Sequence, residues 1–355
     1  MRYINIKHPM ETLGFPEAVI AGLGKGQGLF FPQSLTPLED IPALLDMDFV
    51  DRSTRILQYL VGESMSADSV ASCVKAAFNF AVPLQPVEKN VYALELFHGP
   101  SLAFKDFGAR FMAQCLGSFN SERRTTILTA TSGDTGAAVA LAFYGVPNID
   151  VVVLYPKGMV TPLQEKLFCT LGGNIRTVAI EDNFDACQAM VKQSFDDRPL
   201  VEAVGLKSAN SINVARLLAQ VCYYFEAAAR LPRNAEVVFS VPSGNFGNVT
   251  AGLLARAIGL PLKRVIAATN RNDTVPRFLA SGKWEPRPTV ATLTNAMDIS
   301  MPNNFPRVLE LEDRHGLPLA DILSSFAISD AETETAVRDL DSRGYLADPH
   351  SALAW

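Results

Sequence analysis

Four short strings carry residues that could do chemistry together. In 94–116, LELFHGPSLAFKDFGARFMAQCL, Lys105 sits between Phe104 and Phe107, after an apolar segment and near an expected helix start. Aromatic neighbours desolvate an ammonium and lower its pKa. A lysine so placed can attack a carbonyl carbon and form an imine. A lysine whose stem covers apolar surface has the same neighbours, and F-K-D alone favours that plainer reading. In 240–255, SVPSGNFGNVTAGLLA, a β-rich run ends at Pro242, and a Gly/Asn turn through Gly244, Asn245, Phe246, Gly247 and Asn248 opens a helix. Small residues let backbone N–H groups approach a phosphate, and the helix start adds positive potential. An ordinary turn with Asn as N-cap is the alternative. The P-loop lysine is missing, which makes a nucleoside triphosphate the poorer anion.

In 129–145, TATSGDTGAAVALAFYG, Thr131, Ser132, Asp134 and Thr135 crowd one strand-to-helix turn. Their hydroxyls and the helix-start amides suit a carboxylate. Capping needs one such residue, not four. In 207–220, KSANSINVARLLAQ, Asn210 or Ser211 is expected to cap a helix, with Arg216 about one and a half turns inside it. Amide, hydroxyl and guanidinium together suit a phosphate ester; a plain cap with a solvated arginine is the alternative. One chemistry uses all four strings: a pyridoxal-phosphate enzyme acting on an amino acid, which is itself phosphorylated if the second phosphate site is real.

These strings need elements to hold them. From residue 125 onward, short β-rich runs (TTILTA, DVVVLYP, NIRTVAI, EVVFSVP, RVIAATN) alternate with amphipathic stretches. That alternation predicts parallel sheets covered by helices, and in such sheets ligands bind on loops at the carboxyl ends of strands. Residues 1–90 are mixed, with helical spacing over 41–60 and 66–78 and proline-containing punctuation. The early AGLGKGQGL does not fit G-x-G-x-x-G and follows no convincing strand, so it reads as a surface turn. The whole sequence is also free of G-x-x-x-x-G-K-[ST], G-x-S-x-G and H-E-x-x-H.

The chain has 355 residues, 48% hydrophobic and 19% charged, which suits a globular protein with a large core rather than a disordered one. Its 31 basic and 37 acidic residues give a net charge of −6 without basic runs, so nucleic acid and anionic membrane are not expected partners. Five widely spaced cysteines and four histidines make no zinc pattern, so no metal is expected and the thiols read as free in a reducing compartment. The first residues lack the apolar core of a signal peptide, and no apolar run reaches membrane-spanning length. The expected location is the cytoplasm.

On the strings QGLFFP, ELFHGPSLAFKDFGARFM, TATSGDTGAA, TPLQEKLFCTLGGNI, KSANSINVARLLAQ, VPSGNFGN, ATNRNDTVPRFL and NAMDISMPNN, the sequence resembles the threonine synthase family. The strings span almost the whole chain, and F-K-D-F-G-x-R-F-M with S-G-N-F-G-N is close to diagnostic. The resemblance implies a tryptophan-synthase-β-like (fold type II) α/β enzyme, with two parallel-sheet units and flanking helices. It implies pyridoxal 5'-phosphate joined to Lys105 as a Schiff base, and a phosphate cradle made by Gly244, Asn245, Phe246, Gly247 and Asn248. Asp134 would lie beside the cofactor. Thr131, Ser132, Asp134 and Thr135 would form the substrate-carboxylate loop, and Asn210, Ser211 and Arg216 would contact the substrate phosphate. The implied reaction turns O-phospho-L-homoserine and water into L-threonine and phosphate, with Lys105 moving protons at Cα and Cβ.

Much of the wider superfamily has Asn where Asp134 stands, which reads as a branch feature. Family members continue for several tens of residues past GYLADPHSALAW, including a G-T-A-H-P-A-K-F-like segment that offers a hydroxyl to the pyridine nitrogen. That segment is expected to be missing here, so either the sequence is cut short or the product is impaired. The implied domains are a family-specific region at 1–90, a cofactor domain from 91–118 plus 200–355, and a smaller inserted domain at 119–199, with the site in the cleft between the last two. Monomer and homodimer are both open. Two rivals stay in view: a serine/threonine dehydratase of the same fold, and a truncated, catalytically silent protein that binds cofactor or phosphorylated ligands.

Overall fold

The computed structural model describes residues 1–119 and 124–355. Two compact units divide the chain. The first comprises Met1–Gln33, Val50–Ala81 and Leu96–Ala219; the second comprises Ser34–Phe49, Val82–Glu95 and Gln220–Trp355. This division differs from the expected domain boundaries. The Lys105–Ser118 helix packs on the helices Ala67–Ala77 and Asp134–Phe143, so it groups with the N-terminal region and the expected insert. Residues 120–123, which the expected insert includes, lie outside the described residues.

The first unit contains a four-stranded parallel sheet, in spatial order Ile175–Ile180, Ile149–Pro156, Thr125–Ala130 and Leu206–Ser208. Leu128, Ala130, Leu154 and Leu206 bury against Cys187 and Val191 of the helix Phe184–Asp196. A short antiparallel sheet of His8–Leu13, Tyr3–Asn5 and Phe30–Pro32 was not legible in the mixed N-terminal pattern. The glycine-rich run that follows is the expected turn. Gly24 and Gly28 form one bridge, and a Cβ on Gly28 would strike the Asn5 amide. The expected helix over 41–60 is two helices, Ile41–Asp46 and Phe49–Val61, broken where Met47 turns to extended backbone.

Aromatic packing fixes the Lys105 helix. Phe107 is fully buried, with ring centroids 5.4 Å from Phe78 and 4.9 Å from Phe80. Each such buried ring contributes about 1.5–3 kcal/mol of apolar transfer. Gly108 lets this helix approach closely: a Cβ there would stand 2.8 Å from the Arg216 carbonyl oxygen.

The second unit contains a three-stranded parallel sheet in the order Val237–Pro242, Leu262–Thr269 and Leu323–Ala327. The helix Gly247–Ala257 packs on it and on Phe305–Asp313. A hairpin, Leu84–Glu88 with Val91–Leu94, joins this unit through the Arg343–Glu88 ion pair and a Tyr345–Glu95 hydrogen bond of 3.3 Å.

Candidate active site

Three of the four site strings fall on loops at the carboxyl ends of parallel strands, where helices begin, whereas the Lys105 string follows the antiparallel hairpin that ends at Leu94. Lys105 is the first residue of its helix. Its Nζ donates to Asp134 Oδ2 at 3.0 Å and lies 4.9 Å from the Phe104 ring centroid. The two side chains are 17% and 29% exposed, so the amine is sheltered yet reachable. Phe104 thus neighbours the amine as expected, whereas Phe107 is committed to the core. The other carboxylate oxygen, Asp134 Oδ1, accepts from Gln164 Nε2 at 2.7 Å. Gln164 also closes a capping box with Thr161 at the start of the helix Pro162–Cys169. Sequence reasoning assigned Gln164 no role; the signal was T-x-x-Q, which fixes where that side chain must stand.

The turn before the Asp134–Phe143 helix divides its labour. Thr131 Oγ1 accepts from the amides of Gly133 at 2.9 Å and Gly136 at 2.7 Å, and is fully buried. Thr131 therefore supplies the cap and holds the turn. Ser132, Asp134 and Thr135 are half-buried and carry no cap bond. Gly133 has φ 140° and ψ −86°, a backbone that side-chain-bearing residues avoid. A Cβ there would collide with the Gln164 amide. Gly133→Ala is expected to cost about 1–3 kcal/mol of stability from backbone strain and to detach Gln164 from Asp134. Gln164→Ala should break the Asp134 bond and the capping box but introduce no backbone strain. Urea denaturation of the pair separates them: equal stability in the two variants would refute the strain.

The 207–220 string differs from its expected local structure. The helix begins at Val214, and its first turn is capped by Asn213, whose Oδ1 accepts from Ala215 N at 3.0 Å. Asn210 and Ser211 lie in the preceding turn, closed by Asn213 N on Asn210 O at 3.0 Å. Asn210 Oδ1 accepts from Thr129 Oγ1 at 2.8 Å, which ties this turn to the neighbouring strand end. Arg216 lies in the first turn rather than deep in the helix. It is 3% exposed, and its Nη1 donates to Ala209 O at 2.8 Å. Burial pushes this guanidinium down to about 10, while the charge of Asp106 works to raise it. Arg216 thus braces the turn from inside, where the sequence suggested a direct phosphate contact. Asp106 is also fully buried, with Oδ2 accepting from Ser101 N at 2.9 Å.

In the second unit, Phe246 caps the Gly247–Ala257 helix in the left-handed conformation, φ 60°, and no side chain bonds the first amides. The alternative of Asn as N-cap is thereby removed. Edge contact with Phe305, centroids 5.6 Å apart, holds Phe246 in place. Gly244 is required by a close approach: a Cβ would stand 2.8 Å from Met297 Cα. Behind Met297, Asp298 Oδ1 accepts from Thr292 Oγ1 at 2.7 Å, Asn270 Nδ2 at 2.9 Å and Asn272 Nδ2 at 3.2 Å. This brace was not foreseen, although Asn270, Asn272 and Asp298 fall in two of the quoted strings. Asn248 Oδ1 accepts from Tyr223 at 2.6 Å and Tyr224 at 2.8 Å, which anchors the helix start.

Residues 80–355 match the family model of pyridoxal-phosphate dependent enzymes, and residues 2–78 match that of the threonine synthase N terminus. The threonine synthase of Haemophilus influenzae is 61% identical over 357 residues, covering 100% of this chain and 84% of that protein. The chain belongs to the threonine synthase family. The crystal structure of threonine synthase from Escherichia coli superposes with a TM-score of 0.95 at 57% identity, over 100% of this chain and 83% of that one. The PLP-bound threonine synthase from Brucella melitensis gives 0.92 at 35% identity, over 100% and 84%.

As a member of this threonine synthase family, the chain uses pyridoxal phosphate, and its residues suit that group. Lys105 offers a primary amine, and the uncapped amides before and within the Gly247–Ala257 helix offer donors for a phosphate monoester. Among the described residues, no cluster could hold a metal ion, and no helix is long and apolar enough to cross a membrane.

Proposed function

We propose that this chain converts O-phospho-L-homoserine and water to L-threonine and phosphate, with Lys105 as its catalytic amine. The observation that carries the reading is the joint match of the pyridoxal-phosphate region and the threonine-synthase N-terminal region along one chain. A dehydratase of the same fold calls for the first region alone.

The residues divide the work as follows. Lys105 would hold the cofactor through its aldehyde, and its amine, when free, would take and return protons at the substrate Cα and Cβ. Asp134, steadied by Gln164, orients the Lys105 amine. Ser132 and Thr135 offer hydroxyls to the substrate carboxylate, on a turn whose shape Thr131 fixes. Asn210 and Ser211 face the substrate phosphate, with Arg216 bracing their backbone through Ala209. Gly244, Asn245, Phe246 and Gly247 cradle the cofactor phosphate, and Asn248 anchors that cradle through the two tyrosines. When bound, pyridoxal phosphate supplies an electron sink for charge developing at the substrate carbons. The same reading puts the enzyme in the cytoplasm, a view supported by five cysteines that are all unbridged.

The test is product analysis with O-phospho-L-homoserine. Phosphate and threonine are expected in equal amounts, with no ammonia. Ammonia and a keto acid from serine or threonine would favour the dehydratase.

A further inference from the structure

We propose that His350 is a positioning residue for the cofactor phosphate: it holds the Asn295–Met297 turn, and that turn sets the backbone of Gly244. The inference rests on reading Gly244–Asn248 as the phosphate cradle. His350 lies in the short helix Pro349–Ala352, which Asp348 caps by accepting from His350 N at 2.8 Å. His350 Nε2 accepts from Ala296 N, within that turn, at 3.3 Å. A backbone N–H only donates, so Nε2 bears no proton at this contact. The ring proton then sits on Nδ1, which faces Asp348 Oδ1 at 3.1 Å. One aspartate therefore both starts the helix and fixes the tautomer that grips the turn.

The turn so held is pressed against the cradle. A Cβ on Gly244 would stand 2.8 Å from Met297 Cα and 3.1 Å from Met297 Cβ, so one backbone lies directly on the other. Leu353 buries with Met297 and Ala268. Ser240 Oγ donates to Ala354 O at 2.6 Å, and Ser240 belongs to the strand Val237–Pro242 that leads into Gly244. The segment 348–354 thus clasps both the turn behind the cradle and the strand before it. Gly244 has no side chain of its own to pack, so its conformation depends on what lies against it. Releasing the Ala296 N–H would let the turn move and Gly244 with it. A phosphate would then have to order that backbone as it binds, which lowers its affinity.

The experiment compares pyridoxal phosphate with pyridoxal, which lacks the phosphate, as ligands for the whole chain freed of cofactor, and records ³¹P spectra of the reloaded enzyme. His350→Ala is expected to weaken pyridoxal phosphate about 5- to 30-fold, equivalent to ordering one backbone residue. Pyridoxal affinity should be unchanged, and the ³¹P resonance should shift or broaden. His350→Gln places an acceptor oxygen at the reach of Nε2 and should restore both affinity and resonance. His350→Lys offers only donors; it should behave as the alanine variant does, and it decides the matter if that variant does not fold. Equal loss of both ligands, or glutamine no better than alanine and lysine, would make His350 merely structural and overturn the proposal. Gly244→Ala crowds the same contact from the cradle side and serves as the control. If it abolishes the preference for the phosphorylated ligand while His350→Ala and His350→Lys keep it in full, only the His350 inference falls. If Gly244→Ala also keeps the preference, the phosphate binds elsewhere and the cradle reading falls with it.

Discussion

Lys105→Ala is expected to lower phosphate release from O-phospho-L-homoserine by at least about 10³-fold, since positioned proton transfer alone contributes about 10²–10⁴. The variant should remain folded. Lys105 is partly exposed, begins its helix rather than sitting within it, and its helix is fixed by Phe107 and Phe111 in the core. Its loss leaves Asp134 with Gln164 as a neighbour. The decisive readout is covalent: after incubation with pyridoxal phosphate and borohydride, the wild type should carry a reduced adduct on the peptide containing residue 105, and the variant should carry none. An adduct that persists in the variant would move the chemistry to another amine and dismantle the assignment.

The second large effect concerns stability. Arg216→Ala is expected to cost about 1–3 kcal/mol, the scale for leaving a buried hydrogen-bonding group unsatisfied, because it strands the Ala209 carbonyl and removes a positive charge that favours the Asp106 carboxylate. Asp106 and Arg216 are both buried, and burial already pushes the Asp106 carboxyl up against the favourable charges of Arg110 and Arg216. Without the guanidinium, the buried carboxylate keeps its Ser101 hydrogen bonds and the charge of Arg110. A double variant, Asp106→Asn with Arg216→Met, should recover much of the loss because no uncompensated charge remains. Urea denaturation is the measurement. If Arg216→Ala unfolds at the wild-type concentration but loses substrate affinity alone, Arg216 acts on the substrate directly, as the sequence first suggested.

Arg216 also marks where sequence reading stops. An arginine three residues after an asparagine looks like a surface ligand; only its burial, with Gly108 packed against its backbone, reveals that it points inward. The strands Thr125–Ala130 and Ile149–Pro156 were legible because Ile127, Val151 and Val153 lie in β-rich runs whose residues are all buried or half-buried. The strand Leu323–Ala327 was not, since its LSSFA pattern holds two serines and a half-exposed edge. Tyr3–Asn5 is too short for periodicity to register. Within the site, Lys105 and the Gly/Asn turn were visible from residue type alone. Gln164 and Asp298 were not, because their work depends on partners 30 and 6 residues away in patterns that resemble ordinary caps and turns.

The division of labour at Thr131 has a practical consequence. Because one buried hydroxyl secures the helix start, positions 132 and 135 are released from folding duty. A library randomised there while Thr131 and Gly133 are kept should therefore stay folded while its ligand binding changes.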